Sequence, residues 1–415
     1  MYLKRNIEPL LTQASKEFCC ITIYGSRQVG KETLVKNLFG DFNFISLDDF
    51  DNLSLALSNP KLFLESNPTP LIIDEIQKAP NLLPFIKQII DEYKFQHLDD
   101  GKNELLFVLT GSNQFQLKHA VTESLAGRTA IFHLSSLSFS EIKEYPENNL
   151  FSPDVNILLK KQCNKYNRSR KEIFEDIFKG GMPEYINKNI NRETFFNSYV
   201  QTYLERDVKE LINSSNLVTF NNFLKYIALR TASQVDYTDI SNAIGINTKT
   251  VKEWLSILES SGIIIFLEPY MKNASNRIVK TPKLYFMDTG LCAYLCKWPN
   301  AEMLENGVMN GAFYETYVVS EMIKNYSNHG LDPFEYIYYY RDRDQKEVDL
   351  IIETIEGIYP IEIKKGINPV SSKKSFSFLS KYNKPLLNGL VIDSCDRIMP
   401  INENIYYCPI AMIGL

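Results

Sequence analysis

The sequence predicts an α/β protein: a parallel-sheet core at the N-terminus, a helical lid, a winged helix-turn-helix, and a second α/β domain towards the C-terminus. Three observations predict it. The apolar, β-rich run "FCCITIY" (18–24) passes through the glycine loop "GSRQVG" into an amphipathic helix beginning near Lys31. A second apolar run, "LIID" (71–74), ends on adjacent acids, Asp74 and Glu75. Near the other end, "EVDLII" and "YPIEIKK" alternate apolar and charged residues at the two-residue period of a strand.

Composition bounds what these elements can mean. A chain of 415 residues is long for one hydrophobic core, so about two to four domains are expected. With 44% hydrophobic and 23% charged residues the chain is globular rather than disordered. A net charge of -5 gives no global basic field, so any contact with nucleic acid must be local. Seven scattered cysteines have no spacing that brings histidines into reach, which leaves neither a zinc site nor a disulfide framework. Cys292 and Cys296 have helical spacing and are expected in a core. No window reaches the ~18 apolar residues of a membrane span. A cytoplasmic protein without a membrane partner is expected.

Taken in order, the loop fits G-x-x-x-x-G-K, from Gly25 to Lys31, in the strand–loop–helix context that pattern requires. Gly25 and Gly30 allow close backbone approach. The amides of Ser26, Arg27, Gln28, Val29 and the helix start, with Glu32 and Thr33 beside them, would then surround phosphate oxygens. Lys31 would reach the outer phosphates. Asp74 at a strand end is placed to hold Mg²⁺ and Glu75 to polarise water, the competing reading being a helix cap or turn. The strand "ELLFVLTGSNQF" carries Thr110, Ser112 and Asn113 to the same sheet edge, where a polar side chain meets the γ-phosphate or simply caps a helix. Arg128 would sense nucleotide in its own or a neighbouring subunit, or form a structural salt bridge.

The segments "GSRQVGKETL", "LIIDEIQKAP", "LTGSNQF", "LAGR", "GGMPEY", "YLERDV" and "PKLYFMDTGL" occur in that order. As a set the chain resembles the predicted AAA+ ATPases of bacteria and archaea, in which an ATPase precedes a conserved domain of unknown function. The resemblance spans about residues 20 to 365. It implies an AAA+ core that binds ATP with Mg²⁺, and relatives that assemble into rings; the residues alone support a phosphate-loop NTPase. Glu32 departs from the family, which has Ser or Thr on the metal at this position. A carboxylate 4 Å from a phosphate charge is repelled by ~4 kcal/mol at an effective dielectric of 20. Thr33 is turned away by about 100° and cannot replace the hydroxyl. Binding with slowed hydrolysis is expected.

The predicted division is a core over 1–155, a helical lid over 156–215, a winged helix over 216–298 and a last domain over 299–415. Arg206 and Asp207 in the lid would touch nucleotide, a neighbouring protomer, or only each other. In "DYTDISNAIGINTKTVKEWLSILES", Ile240, Ala243 and Ile244 face inward, Gly245 turns, and Val251, Trp254, Leu255 and Leu258 form the stripe of the second helix. Thr248, Lys249, Thr250 and Lys252 would then meet DNA, with Arg277, Lys280 and Lys283 near the wing. Glu253 and Glu259 dilute that charge, and winged helices also bind proteins.

In the last domain Glu315 lies on a helix, Asp349 enters a strand, and Glu362 and Lys364 share one face of another. These match the signature of the PD-(D/E)xK, restriction-endonuclease-like fold, with Val348 where the motif name has proline. That resemblance assigns Asp349 and Glu362 to Mg²⁺ and Lys364 to the attacking water. A solvent-facing E-x-K strand is the plainer alternative. Arg341, Arg343, Lys365, Lys373 and Lys374 would track phosphates, and Tyr338, Tyr339 and Tyr340 would stack bases or fill a strand. The expected whole is an ATP-binding protein acting on DNA; the alternative is a nucleotide-gated interaction switch on inactive scaffolds.

Overall fold

The computed structural model describes the chain except residues 1, 99–102, 113–120, 146–148, 163–166, 189, 204–216, 272–280, 343, 367–374 and 415. Asn113, Arg206, Asp207, Arg277, Lys280, Arg343, Lys373 and Lys374 therefore lie outside the described residues. Among those described, no helix is long and apolar enough to cross a membrane.

Two compact units are present. The first comprises residues 1–137 with the short pieces 260–262 and 327–330. Its sheet has the order β2-β3-β4-β1-β5 and is parallel throughout. The strands are β1 (Cys20–Tyr24), β2 (Asn43–Ser46), β3 (Leu71–Asp74), β4 (Phe107–Gly111) and β5 (Thr129–His133). Alternation sorts each strand's side chains between two cores. Cys20, Leu71, Ile73, Phe107 and Leu109 pack with Ile86 and Ile90 of the helix Leu83–Gln96. Ile21, Ile23, Ile72 and Val108 pack with Leu11 and Leu34 of the helices Glu8–Glu17 and Lys31–Leu38. Burial on both faces is why these strands read as apolar runs.

The second unit holds residues 138–259, 263–326 and 331–415. One buried core runs through it from Phe139 to Ile413, so residues from all three later segments of the predicted division share their packing. The helix Tyr237–Ile244 is capped by Asp236, whose carboxylate accepts from the Thr238 and Asp239 amides. Gly245 then turns the chain at φ 75, as expected. In the helix Thr248–Ser260, Val251, Trp254, Leu255 and Leu258 are all buried, with Phe220 and Phe223 edge-on to Trp254 at 5.1 and 5.3 Å. Ala243 is a correction: it faces solvent and Ile244 is only half-buried, so the inward stripe of the first helix centres on Ile240. A small antiparallel sheet accompanies the pair, ordered β6 (Ser233–Gln234), β8 (Lys283–Phe286), β7 (Ile264–Leu267).

The last part combines the helix Asn310–Asn328 with a six-stranded sheet ordered β13-β14-β12-β11-β10-β9. Its strands are β9 (Ile337–Arg341), β10 (Glu347–Glu353), β11 (Ile358–Ile363), β12 (Gly389–Asp393), β13 (Met399–Asn402) and β14 (Ile405–Pro409). Tyr338 and Tyr340 enter one core and Tyr339 the other. All three fill a strand covered on both faces and present no stacking surface to a base. Cys292 is likewise a core residue.

"GGMPEY" and "MDTGL" find a structural explanation. Gly180 adopts φ 72, ψ −163, a backbone region that L residues avoid, and a Cβ there would sit 2.5 Å from Asp288 Oδ1. Asp288 accepts from the Gly181 amide at 2.8 Å and from the Leu291 amide at 2.8 Å. One buried carboxylate thus clamps two distant glycine turns.

Candidate functional site

The carboxyl edge of the parallel sheet gathers the first site. Gly25 follows β1 with no room for a side chain, since a Cβ would lie 2.0 Å from Leu134 O. Gly30 sits at φ 92 and Gln28 at φ 60, which curls the loop so that the helix Lys31–Leu38 begins beneath it. Arg5 supports the loop from behind, donating to Val29 O at 2.9 Å and Ser135 O at 2.8 Å. Nothing in the local pattern around Arg5 announces that role. Lys31 is buried, and its Nζ donates to Gly25 O and Ser26 O, both at 2.9 Å. The ammonium thereby folds back across the loop it belongs to.

Asp74, also buried, accepts from Thr110 Oγ1 and, at 3.3 Å, from Ser46 Oγ. Burial raises its pKa; the Thr110 hydroxyl opposes that, while the charges of Glu75 and Glu32 add to it. A buried carboxylate so disposed is stabilised by a cation, which suits Asp74 to Mg²⁺. Glu75 takes the left-handed backbone at φ 57 directly after β3. Its Oε2 accepts from Ser112 Oγ at 3.0 Å and from Gln77 Nε2. Ser112 therefore orients Glu75, a contact that joins two residues predicted separately. Gln77 and Ser46 were not anticipated; Ser46 is the last residue of β2 and Gln77 lies three positions beyond the end of β3, so both polar side chains meet the same edge.

Glu32 and Thr33 are exposed at the helix start. The Glu32 carboxylate pairs with Lys36 Nζ at 2.5 Å, one turn along, and Lys36 also lies 3.7 Å from the centre of the Phe44 ring. The misplaced charge is thus drawn towards a lysine. The Arg128 guanidinium meets Asp91 in two parallel bonds, Nε to Oδ1 at 2.6 Å and Nη2 to Oδ2 at 3.0 Å, the structural salt bridge among its alternatives. That hydrogen-bonding holds the Asp91 carboxyl below its usual range.

The glycine cradle, the buried lysine and the paired acids on one sheet edge decide the class of this unit. Residues 18–143 match a family model described as an AAA domain. Two further models match beyond the AAA domain, each described as a domain of unknown function: DUF8612 over 170–302 and DUF4143 over 310–413. Uncharacterized proteins of Mycobacterium tuberculosis (Rv2008c) and Mycobacterium bovis (Mb2031c) are each 24% identical over 380 residues, covering 91% of this chain and 77% of theirs. Among solved structures, the Walker-type ATPase PABY2304 of Pyrococcus abyssi is similar at TM-score 0.42 and 14% identity, over 71% of this chain and 96% of that one. The R170A form of RuvB from Thermotoga maritima is similar at TM-score 0.30 and 15% identity, over 63% and 88%.

A second charged cluster lies in the other unit. Asp349 and Glu362 stand on the adjacent strands β10 and β11, and Asp349 Oδ2 accepts from the Ile363 amide at 2.7 Å. Burial, then the charges of Glu315 and Glu362, push the Asp349 carboxyl up to about 7. Lys364 pairs with Glu362 at 2.5 Å. Arg341 and Lys365, expected on phosphates, are engaged with Glu347 at 3.4 Å and Asn310 at 2.5 Å. Lys283 is the chief correction. Read as a surface cation of the wing, it is buried, with Nζ 3.0 Å from Glu315 and 2.5 Å from Glu347. Burial acts to lower its pKa, but Glu315, Asp349 and Glu347 outweigh burial and hold it charged.

Proposed function

We propose that the chain binds ATP with Mg²⁺ at the phosphate loop and hydrolyses it slowly, with nucleotide state governing how the second unit engages DNA. The observation that carries the reading is Lys31, buried among carbonyls beside Asp74 and Glu75 at the sheet edge. In this reading Lys31 exchanges the Gly25 and Ser26 carbonyls for phosphate oxygens, while loop amides and the helix start hold the rest of the anion. Asp74, kept in place by Thr110 and Ser46, would hold Mg²⁺, which when bound neutralises developing phosphate charge. Glu75, held by Ser112, aligns the attacking water and takes its proton. Calorimetric titration with ATP and ADP, with and without Mg²⁺, tests this, using Lys31→Ala as the control. Heat is expected from the parent and none from the variant. No heat from the parent ends the proposal.

DNA engagement is supported by Thr248, Lys249 and Lys252, all exposed on the first turns of the helix Thr248–Ser260. Among the described residues Lys249 pairs only with the solvent-exposed Glu253, at 3.9 Å, a pairing too weak to occupy it. Affinity for duplex DNA is expected to fall with salt, and Lys249→Glu with Lys252→Glu to flatten the log–log slope by about two. A parent slope near zero would favour the switch that binds protein instead. The carboxylates of the C-terminal sheet enter this reading as scaffold, because one oxygen each of Glu315, Asp349, Glu362 and Glu347 already meets a donor of the chain.

A further inference from the structure

The acidic residues expected to hold metal in the second unit are Asp349 and Glu362, with Glu315 on the helix above them. Glu315 Oε1 accepts from Lys283 Nζ at 3.0 Å and from the Tyr285 hydroxyl at 2.7 Å. Lys283 and Tyr285 are two apart on β8 and so project from one face. An oxygen holding an ammonium and a phenol has little left to offer a third partner. Glu347 is held from both sides, by Lys283 at 2.5 Å and Arg341 at 3.4 Å. One oxygen of Asp349 accepts a backbone amide, and Glu362 holds Lys364. Among the described residues, no three His, Cys, Asp or Glu side chains come together as a metal-holding set. The donors as arranged do not fit a divalent ion, which needs several open oxygens converging on one point.

Something must still balance these charges. Glu315 and Glu347 pair with a lysine whose side chain is 4% exposed, Asp349 adds its charge nearby, and a buried ammonium without a counter-charge is strongly destabilising. We propose that Lys283 is the resident cation of this cluster, balancing Glu315, Glu347 and Asp349 as a divalent ion would, so that the cluster binds divalent metal only when the Lys283 charge is removed. The ammonium and a metal ion repel each other and compete for the same oxygens, so the two are mutually exclusive. The inference concerns the second unit alone and stands whether or not the phosphate loop binds ATP.

The test is Mn²⁺ binding to the full chain, followed by the loss of the free-ion electron paramagnetic resonance signal. Asp74→Asn serves as background, to remove the metal position in the first unit. Adding Lys283→Met, which is one atom shorter and drops the charge, is expected to create a Mn²⁺ site at least about tenfold tighter than any in the background. Adding Glu315→Gln to that protein is expected to abolish the gain. Equal Mn²⁺ affinity with and without the lysine charge overturns the proposal. Should Lys283→Met fail to fold, the proteins that retain the lysine decide. Asp349→Asn and Glu362→Gln must then leave the Mn²⁺ titration of the background unchanged, and loss of a Mn²⁺ site in either overturns the proposal.

Discussion

Replacing Glu32 with threonine is expected to raise the ATPase rate. The carboxylate stands where the phosphate-loop pattern has Ser or Thr, and it is tied outward to Lys36 at 2.5 Å with both side chains about half exposed. An exposed pair one helical turn apart contributes only about 0.3–0.5 kcal/mol, so the tie restrains Glu32 weakly. Against it stands the repulsion between a carboxylate and a phosphate charge, which at 4 Å runs from about 1 kcal/mol in water to ~4 kcal/mol at a protein-surface dielectric. Exposure puts Glu32 towards the lower end. A net cost of about 1–2 kcal/mol in the transition state corresponds to a roughly 5- to 30-fold rise in kcat on removal of the charge. Phosphate release at saturating Mg²⁺–ATP measures it, with Lys31→Ala as the blank. Lys36→Met completes a double-mutant cycle: it should slow the parent about twofold by freeing the carboxylate, and do nothing once residue 32 is threonine. An unchanged or lower rate in Glu32→Thr refutes the reasoning.

Two further outcomes are expected from the second unit. Gly180→Ala places a methyl 2.5 Å from Asp288 Oδ1 at φ 72, ψ −163, and should lower stability in urea unfolding by at least about 3 kcal/mol; a loss under about 1 kcal/mol would show that the clamp yields. Asp349 gives a pH signature. Its folded value near 7 lies above the ordinary 3.8, so its contribution is fully present below about pH 4 and disappears as pH rises through 7. Asp349→Asn should therefore raise Tm at pH 8 relative to the parent and flatten the fall in Tm between pH 5 and pH 8. Parallel Tm–pH curves for the two proteins would contradict the assignment.

The nucleotide edge was legible because its signals are local. Seven consecutive residues, Gly25 to Lys31, carry the loop, and Asp74 and Glu75 follow directly from an apolar strand. The helices Tyr237–Ile244 and Thr248–Ser260 were legible for the same reason, although Ala243 was misplaced: in a helix of eight residues, one step of register moves a side chain from core to water. What stayed hidden depends on residues far apart in the chain. Arg128 and Asp91 are 37 positions apart, Ser112 and Glu75 also 37, and Lys283 and Glu315 32. A lysine at the start of "KLYF" reads as surface charge, because periodicity reports which face a residue occupies but not which acids arrive opposite it. Similarly, three consecutive tyrosines look like an exposed aromatic platform until the sheet proves to be covered on both sides.

Asp288 reaches back 107 positions to the amide of Gly181, and whatever lies between is fastened at both ends by that one side chain. Fragments are the practical casualty. A piece ending at residue 215 keeps the amide and loses its acceptor, while a piece starting at 216 keeps the acceptor and exposes it to no donor from the glycine pair. Neither half should be expressed in isolation with the expectation of a well-formed product; the whole stretch must travel together.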